Sequence, residues 1–289
     1  MKFVIETLSD KFLCSELNVK QYKELLKCSF GDDPDKFIFC ETVCELISEL
    51  TNVPIDKVKE FSIVDIMLFV LQLRTNSQGN SINIVVTKDE KQMTLPLDLN
   101  YIKTSISDFY KERQTVISDN NIQIVLNPCS INRFLDSVDG EYLYFFDKVV
   151  INNKEFKIKT NKEASEVFDK LPPKLSLQII EWFKEFAMKC SSTNFLAKYE
   201  VEQNLSFLPS IDSLIWYTKL IFNESLDTFY TNLFYLSHLG HIDLSYVEAL
   251  SPGEYTFMVK KLEASLSRNS PSSNVEEPAD DSGMFENEM

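Results

Sequence analysis

Glycine, histidine and positive charge are what this chain of 289 residues has little of. Its six glycines (31, 79, 140, 240, 253 and 283) never fall at the spacing of a phosphate loop or a dinucleotide fingerprint, which excludes nucleotide binding by those routes. Only two histidines are present, His238 and His241, both beside Gly240 at the end of a predicted helix. A Ser/His/Asp or Cys/His arrangement has to use one of them, yet neither lies in a nucleophile motif. A helix C-terminus favours a charged imidazole, so dipole compensation or plain surface placement explains both. No run of about 18 apolar residues occurs, and MKFVIETLSDKF carries acids where a secretory signal carries an apolar stretch. The chain is therefore expected to be soluble and cytosolic, without membrane contact. Lys plus Arg is 29 against 44 for Asp plus Glu, a net charge of -15, so nucleic acid is repelled and a protein partner is expected instead.

The six cysteines (14, 28, 40, 44, 129 and 190) read as buried thiols rather than a disulfide framework in a chain of this length and compartment. Cys14, Cys28, Cys40 and Cys44 would be the members of any four-thiolate zinc site, but their spacing is not that of a zinc knuckle. Cys40 and Cys44 lie one helical turn apart on an apolar stripe beside Val43 and Ile47, where core filling accounts for them. No cofactor and no metal is expected. Asp32, Asp33 and Asp35 stand in a turn and helix start where Asp belongs on conformational grounds, so they give no reason to assign a catalytic carboxylate pair.

What is present is a core's worth of apolar residues, 44% of the chain, arranged with helical and strand periods in turn. Residues 2–8 read as a strand. Asn18 with Gln21 three positions on caps a helix that stops at Gly31. After Asp32-Asp33-Pro34, a second helix carries Phe37, Ile38, Cys40, Val43, Cys44, Leu46, Ile47 and Leu50 on one stripe. Ser62 and Asp65 cap IVDIMLFVLQLR, apolar nearly all round and so expected at the centre of a bundle. Beyond Gly79 the period becomes two, with Ile82, Ile84 and Val86 facing Met93, Leu95 and Leu97 in a hairpin. A helix over 100–113, extended segments near 115–117 and 122–126, and a hairpin turning at Asn152-Asn153 follow, since Asn tolerates the left-handed conformation of a primed turn.

From Asn161 the pattern is helical: a short helix to Leu171, a break at Pro172-Pro173, then LSLQIIEWFKEFAMKC. A strand-like NLSFL occupies 204–208, and three helices follow at about 211–222, 225–239 and 252–266. Ser251, Pro252 and Glu254 form the clearest helix start in the chain. The last 21 positions, NSPSSNVEEPADDSGMFENEM, have no Lys or Arg and are expected to be a disordered acidic tail. The fold class is thus α+β, predominantly helical. Its expected parts are an N-terminal strand with helices (1–78), a mixed insert with hairpins (79–160), a C-terminal helical region (161–268) and the tail (269–289).

Two adjacent predicted helices over 210–236 crowd Trp216, Tyr217, Phe222, Phe229, Tyr230, Phe234 and Tyr235. Aromatics on both sides of one helix exceed what a single buried face needs, so part of the set is expected to meet a partner. Trp216, Tyr217, Phe229, Tyr230 and Phe234 are the candidates there.

The opening strand, LNVKQYKELLK (17–27), the acidic turn GDDPD and the helix ETVCELISEL, read in order, resemble the baseplate hub assembly proteins of T4-like contractile-tailed bacteriophages. Tyr22, Lys23, Leu25, Leu26 and Lys27 carry that likeness, and LSHLGHIDLSYVEALSPGEYTFMVKKLEASL (236–266) is similar to the end of such tail proteins. The resemblance implies a non-enzymatic protein that helps assemble the central hub by binding other baseplate hub or tail proteins, with Tyr22 and Leu26 added to the contact residues. It also implies a place in the host cytoplasm during assembly and in the tail baseplate, and it leaves oligomer formation open. An acidic regulator that titrates a basic host protein, and a cell-wall hydrolase of the hub, are the competing expectations.

Overall fold

A computed structural model describes residues 2–31, 33–88, 91–111, 115–136, 138–191 and 208–269. The chain opens not with one strand over 2–8 but with a hairpin, β1 (Lys2–Glu6) and β2 (Lys11–Ser15), in which Ile5 faces Phe12. Alternation was present in β2, where Phe12 and Cys14 are buried and Leu13 is exposed, but five residues make a weak signal. The helices α1 (Val19–Ser29), α2 (Lys36–Thr51), the single turn α3 (Ile55–Val58) and α4 (Ile63–Gln78) follow.

The expected caps are present. Asn18 Oδ1 accepts from Gln21 N at 2.8 Å while Asn18 N donates to Gln21 Oε1 at 3.2 Å, and Ser62 Oγ accepts from Asp65 N at 3.1 Å. Burial along α2 starts only at Phe39, so Phe37 and Ile38, expected on the stripe, stand exposed in the first turn beside the Asp35 cap.

α4 is the centre. It runs four residues past Arg74 to Gln78, and Ile63 to Arg74 is buried without interruption because β1, α5, α8 and α11 all pack around it. Polar groups on α4 anchor its neighbours. Asp65 Oδ1 accepts from Leu8 N at 2.9 Å and Ser9 N at 3.2 Å, and its Oδ2 accepts from the hydroxyls of Ser9 and Ser62, each at 2.7 Å. Gln72 exchanges two hydrogen bonds with the backbone of Glu6. Buried groups satisfied in this way fix the position of β1 and its turn on the helix, since each donor left unpaired would cost about 1–3 kcal/mol.

The expected hairpin is β3 (Ser81–Lys88) with β4 (Lys91–Asp98), its face of Ile82, Ile84, Val86, Leu95 and Leu97 turned to the core. Met93, on the same alternation, is exposed near the tip. After α5 (Leu99–Lys111), an antiparallel sheet runs in the order β5 (Thr115–Asp119), β6 (Ile122–Leu126), β7 (Phe146–Ile151), β8 (Lys154–Lys157). The β7–β8 turn has Asn152 and Asn153 at φ 51° and 63°, both left-handed, as a two-residue primed turn requires. Two short 3-10 segments, Ile131–Leu135 and Glu141–Phe145, bridge β6 to β7. The buried Arg133 holds them by donating to Asn161 Oδ1 and to the carbonyls of Phe146 and Leu143 at 2.6–3.0 Å.

The C-terminal part comprises α6 (Asn161–Phe168), α7 (Pro173–Ser191), α8 (Ile211–Phe222), α9 (Leu226–His238), α10 (Leu244–Ala249) and α11 (Pro252–Asn269). The short α3 and α10 carried no periodic signal and were not expected. The strand expected at 204–208 falls, but for Leu208, outside the described residues, and so does the acidic tail from 270. Ser251 and Glu254 form the expected capping box, with Ser251 N donating to Glu254 Oε2 at 2.9 Å. Gly253 lets the start of α11 reach the end of α4: a Cβ at that position would stand 2.7 Å from the Ser77 carbonyl oxygen.

Candidate functional site

Two features of the C-terminal helices are candidates: a polar cleft and an uncovered aromatic row. The cleft, about 700 Å³, opens between α1, α4, β3, α8, α9 and α11. Glu224 lines it from the loop between α8 and α9, where Asn223 takes the left-handed conformation that ends α8. Tyr22 Oη donates to Glu224 Oε2 at 2.8 Å and Tyr255 Oη to Glu224 Oε1 at 3.2 Å, with Asn232 Nδ2 at 3.5 Å. Burial raises the Glu224 carboxyl above the usual carboxylate range, against the lowering effect of these donors. Burial raises the Tyr22 and Tyr255 phenols as well, and the nearby Glu224 charge adds to it.

Both oxygens of Glu224 are thus acceptors for groups on α1, α9 and α11. Through these hydrogen bonds the Glu224 side chain ties three helices together. Arg74, nine-tenths buried at the side of the cleft, serves the same end: it donates to the carbonyls of Ile221 at 2.8 Å and Gly79 at 2.8 Å, closing the ends of α8 and α4.

The expected contact residues divide by position. Tyr22, Leu26, Tyr217 and Phe229 are in the core, where Tyr22 packs edge-on to Phe229 and tilted against Phe222. Trp216, Tyr230 and Phe234 reach the surface. Tyr230, Phe234 and His238 recur every four residues along α9, so they form one row, and Phe234, 57% exposed, stacks on His238 at 5.1 Å. Sequence reasoning missed Glu224, an isolated acid in a loop with no periodic or motif signal. It missed the exposed Tyr246 and Phe257 too, whose helices gave no aromatic excess to notice.

Cys14, Cys40 and Cys44 lie in the hydrophobic core and Cys28 packs against it, and burial pushes each of these thiols up to about 12. Thiols so held are protonated at neutral pH and behave as small apolar side chains. Among the described residues no cluster of three or more His, Cys, Asp or Glu has metal-binding geometry, and no helix is long and apolar enough to cross a membrane.

The described part of the chain is thus a predominantly helical α+β fold in which the Glu224 and Asp65 carboxylates hold neighbouring elements and part of the C-terminal aromatic set is uncovered. A family model described as T4 bacteriophage base plate protein matches residues 1–208, more than half of the chain. The chain belongs to this family and is a phage baseplate protein of the tail. No curated protein and no solved structure matches it. The matched residues end just before α8, yet α8 and α11 pack on both α1 and α4, α10 packs on α1, and Val19 N donates to the Leu250 carbonyl at 2.8 Å.

Proposed function

We propose that this baseplate protein acts without catalysis in assembling the central hub of the tail, by binding other hub proteins through the exposed side of α9. The observation that carries the reading is the row Tyr230, Phe234 and His238, with Trp216 on the neighbouring α8, left in water by a fold that buries Tyr217 and Phe229 from the same two helices. Large aromatic rings outside a filled core are among the residues that anchor protein interfaces. The division of the chain into an N-terminal region, a hairpin-bearing insert and a C-terminal helical region fits the same reading, with the last supplying the contact surface.

The test is co-expression of the tagged chain with the neighbouring tail proteins, followed by mass spectrometry of what co-purifies. Recovery of hub proteins with the wild type, and their loss with Tyr230→Ala plus Phe234→Ala, is the expected result. Recovery of basic host proteins alone would replace the reading with that of an acidic regulator, and retention of the hub proteins by the double variant would move the interface off α9.

A further inference from the structure

Among the described residues the four-stranded sheet ends at β8, with no strand paired to its outer edge. Ile158 N donates to the Asp147 carbonyl at 2.8 Å, and the register pairs Lys148 with Lys157, Val149 with Phe156, Val150 with Glu155 and Ile151 with Lys154. Antiparallel strands alternate between residues bonded to one neighbour and residues facing the other way, so Phe156 and Lys154 bond to β7. The N–H and C=O groups of Glu155 and Lys157 therefore point outward. Among the described residues no backbone hydrogen bond reaches them, and all four β8 residues are exposed. On the sheet face where Ile124 and Val149 are buried, Phe156 is 51% exposed: the apolar layer continues to the edge but its cover does not.

Lysine on an edge strand ordinarily discourages pairing. Here the sequence Lys154-Glu155-Phe156-Lys157 is self-complementary about its aromatic residue. A second β8 laid antiparallel with Phe156 opposite Phe156 sets each Glu155 opposite the Lys157 of the other copy. These are the residues whose backbone groups face outward, so this register also satisfies the ladder. Sliding by one residue breaks that match, and sliding by two in either direction places Glu155 against Glu155 or Lys157 against Lys157. Glu155, whose side chain lies on the face opposite Phe156, is already held there by Lys148 at 3.1 Å.

We propose that two copies of the chain pair through β8 in this register, forming a twofold dimer with one continuous eight-stranded sheet. The contact is isologous, as a closed pair requires, and it buries the Phe156 that each copy leaves exposed. It is independent of the α9 surface and of the hub reading.

Sedimentation velocity of the full chain over a wide concentration series tests the proposal, with hydrogen exchange read at both ends of the series. The expected result is a concentration-dependent shift to twice the monomer mass, with exchange slowed at the Glu155 and Lys157 amides. Glu155→Lys and Lys157→Glu, each of which sets two like-charged pairs face to face, should raise the concentration needed for dimer formation at least about tenfold. The double exchange of both charges should restore the dimer, which a merely damaged hairpin would not do. Glu155→Pro, which removes an outward N–H and leaves the β7 pairing intact, should abolish it. A monomer at every concentration overturns the proposal, as does a dimer indifferent to the single variants or a double exchange that fails to restore it.

Discussion

α4 and α9 are both rich in large apolar residues, yet one is surrounded and the other is half in water. In α4 apolar side chains occupy every face, and β1, α5, α8 and α11 cover them. In α9 only Phe229, Leu233 and Leu236 are buried, while Tyr230, Phe234 and Tyr235 are exposed. Apolar content alone therefore does not say where a helix lies. The number of elements available to cover it does; Tyr230 and Tyr235 tolerate the uncovered side through their hydroxyls, whereas the exposed Phe234 has no polar tip to offset its exposure.

The sharpest break of this comparison is in α4. Leu68→Ala should lower the unfolding free energy by about 2–5 kcal/mol through lost burial and a cavity, and Asp65→Ala by roughly 3 kcal/mol through the unpaired donors at Leu8, Ser9 and Ser62. Both are read by chemical denaturation, and a loss below about 1 kcal/mol in either would deny α4 its central place.

A smaller effect belongs to the joint between the two regions. Glu224→Ala should cost about 2 kcal/mol by removing the acceptor of the buried Tyr22 hydroxyl and leaving that of Tyr255 with only the longer bond to the Phe229 carbonyl. Because the folded Glu224 holds its proton more tightly than the unfolded chain does, its contribution to stability falls as pH rises from the ordinary carboxylate range through its raised value. Glu224→Gln should flatten that decline in a series of melts from mildly acidic to neutral pH. An unchanged slope would mean that the carboxyl is solvated like any other.

The smallest change in stability is expected on the exposed side of α9. Phe234→Ala should alter the unfolding free energy by no more than about 0.5 kcal/mol while weakening capture of hub proteins. A large loss of stability instead would show that Phe234 belongs to the core of the chain rather than to a contact surface.

The caps at Asn18, Ser62 and Ser251 and the turn at Asn152-Asn153 were legible in the sequence, because each is a bargain among residues within three or four positions of one another. So was the buried character of α4, where no face is polar enough for water. The parts of the site that were not legible are those joined over long separations. Tyr22 meets Glu224 across 202 positions and Asp65 meets Leu8 across 57, and nothing in either local pattern announces its partner.

Local sequence thus determined where helices and turns begin and end, and that most of the chain is helical, since backbone amides and carbonyls find their partners nearby. Tertiary structure alone decided that Tyr22 and Phe229 are core while Tyr230 and Phe234 face water, and that Phe156 sits on the edge strand of the described sheet. Whether a side chain is covered depends on elements distant in the chain, and the hydrophobic effect acts on the area they remove from water, whatever their place in the sequence.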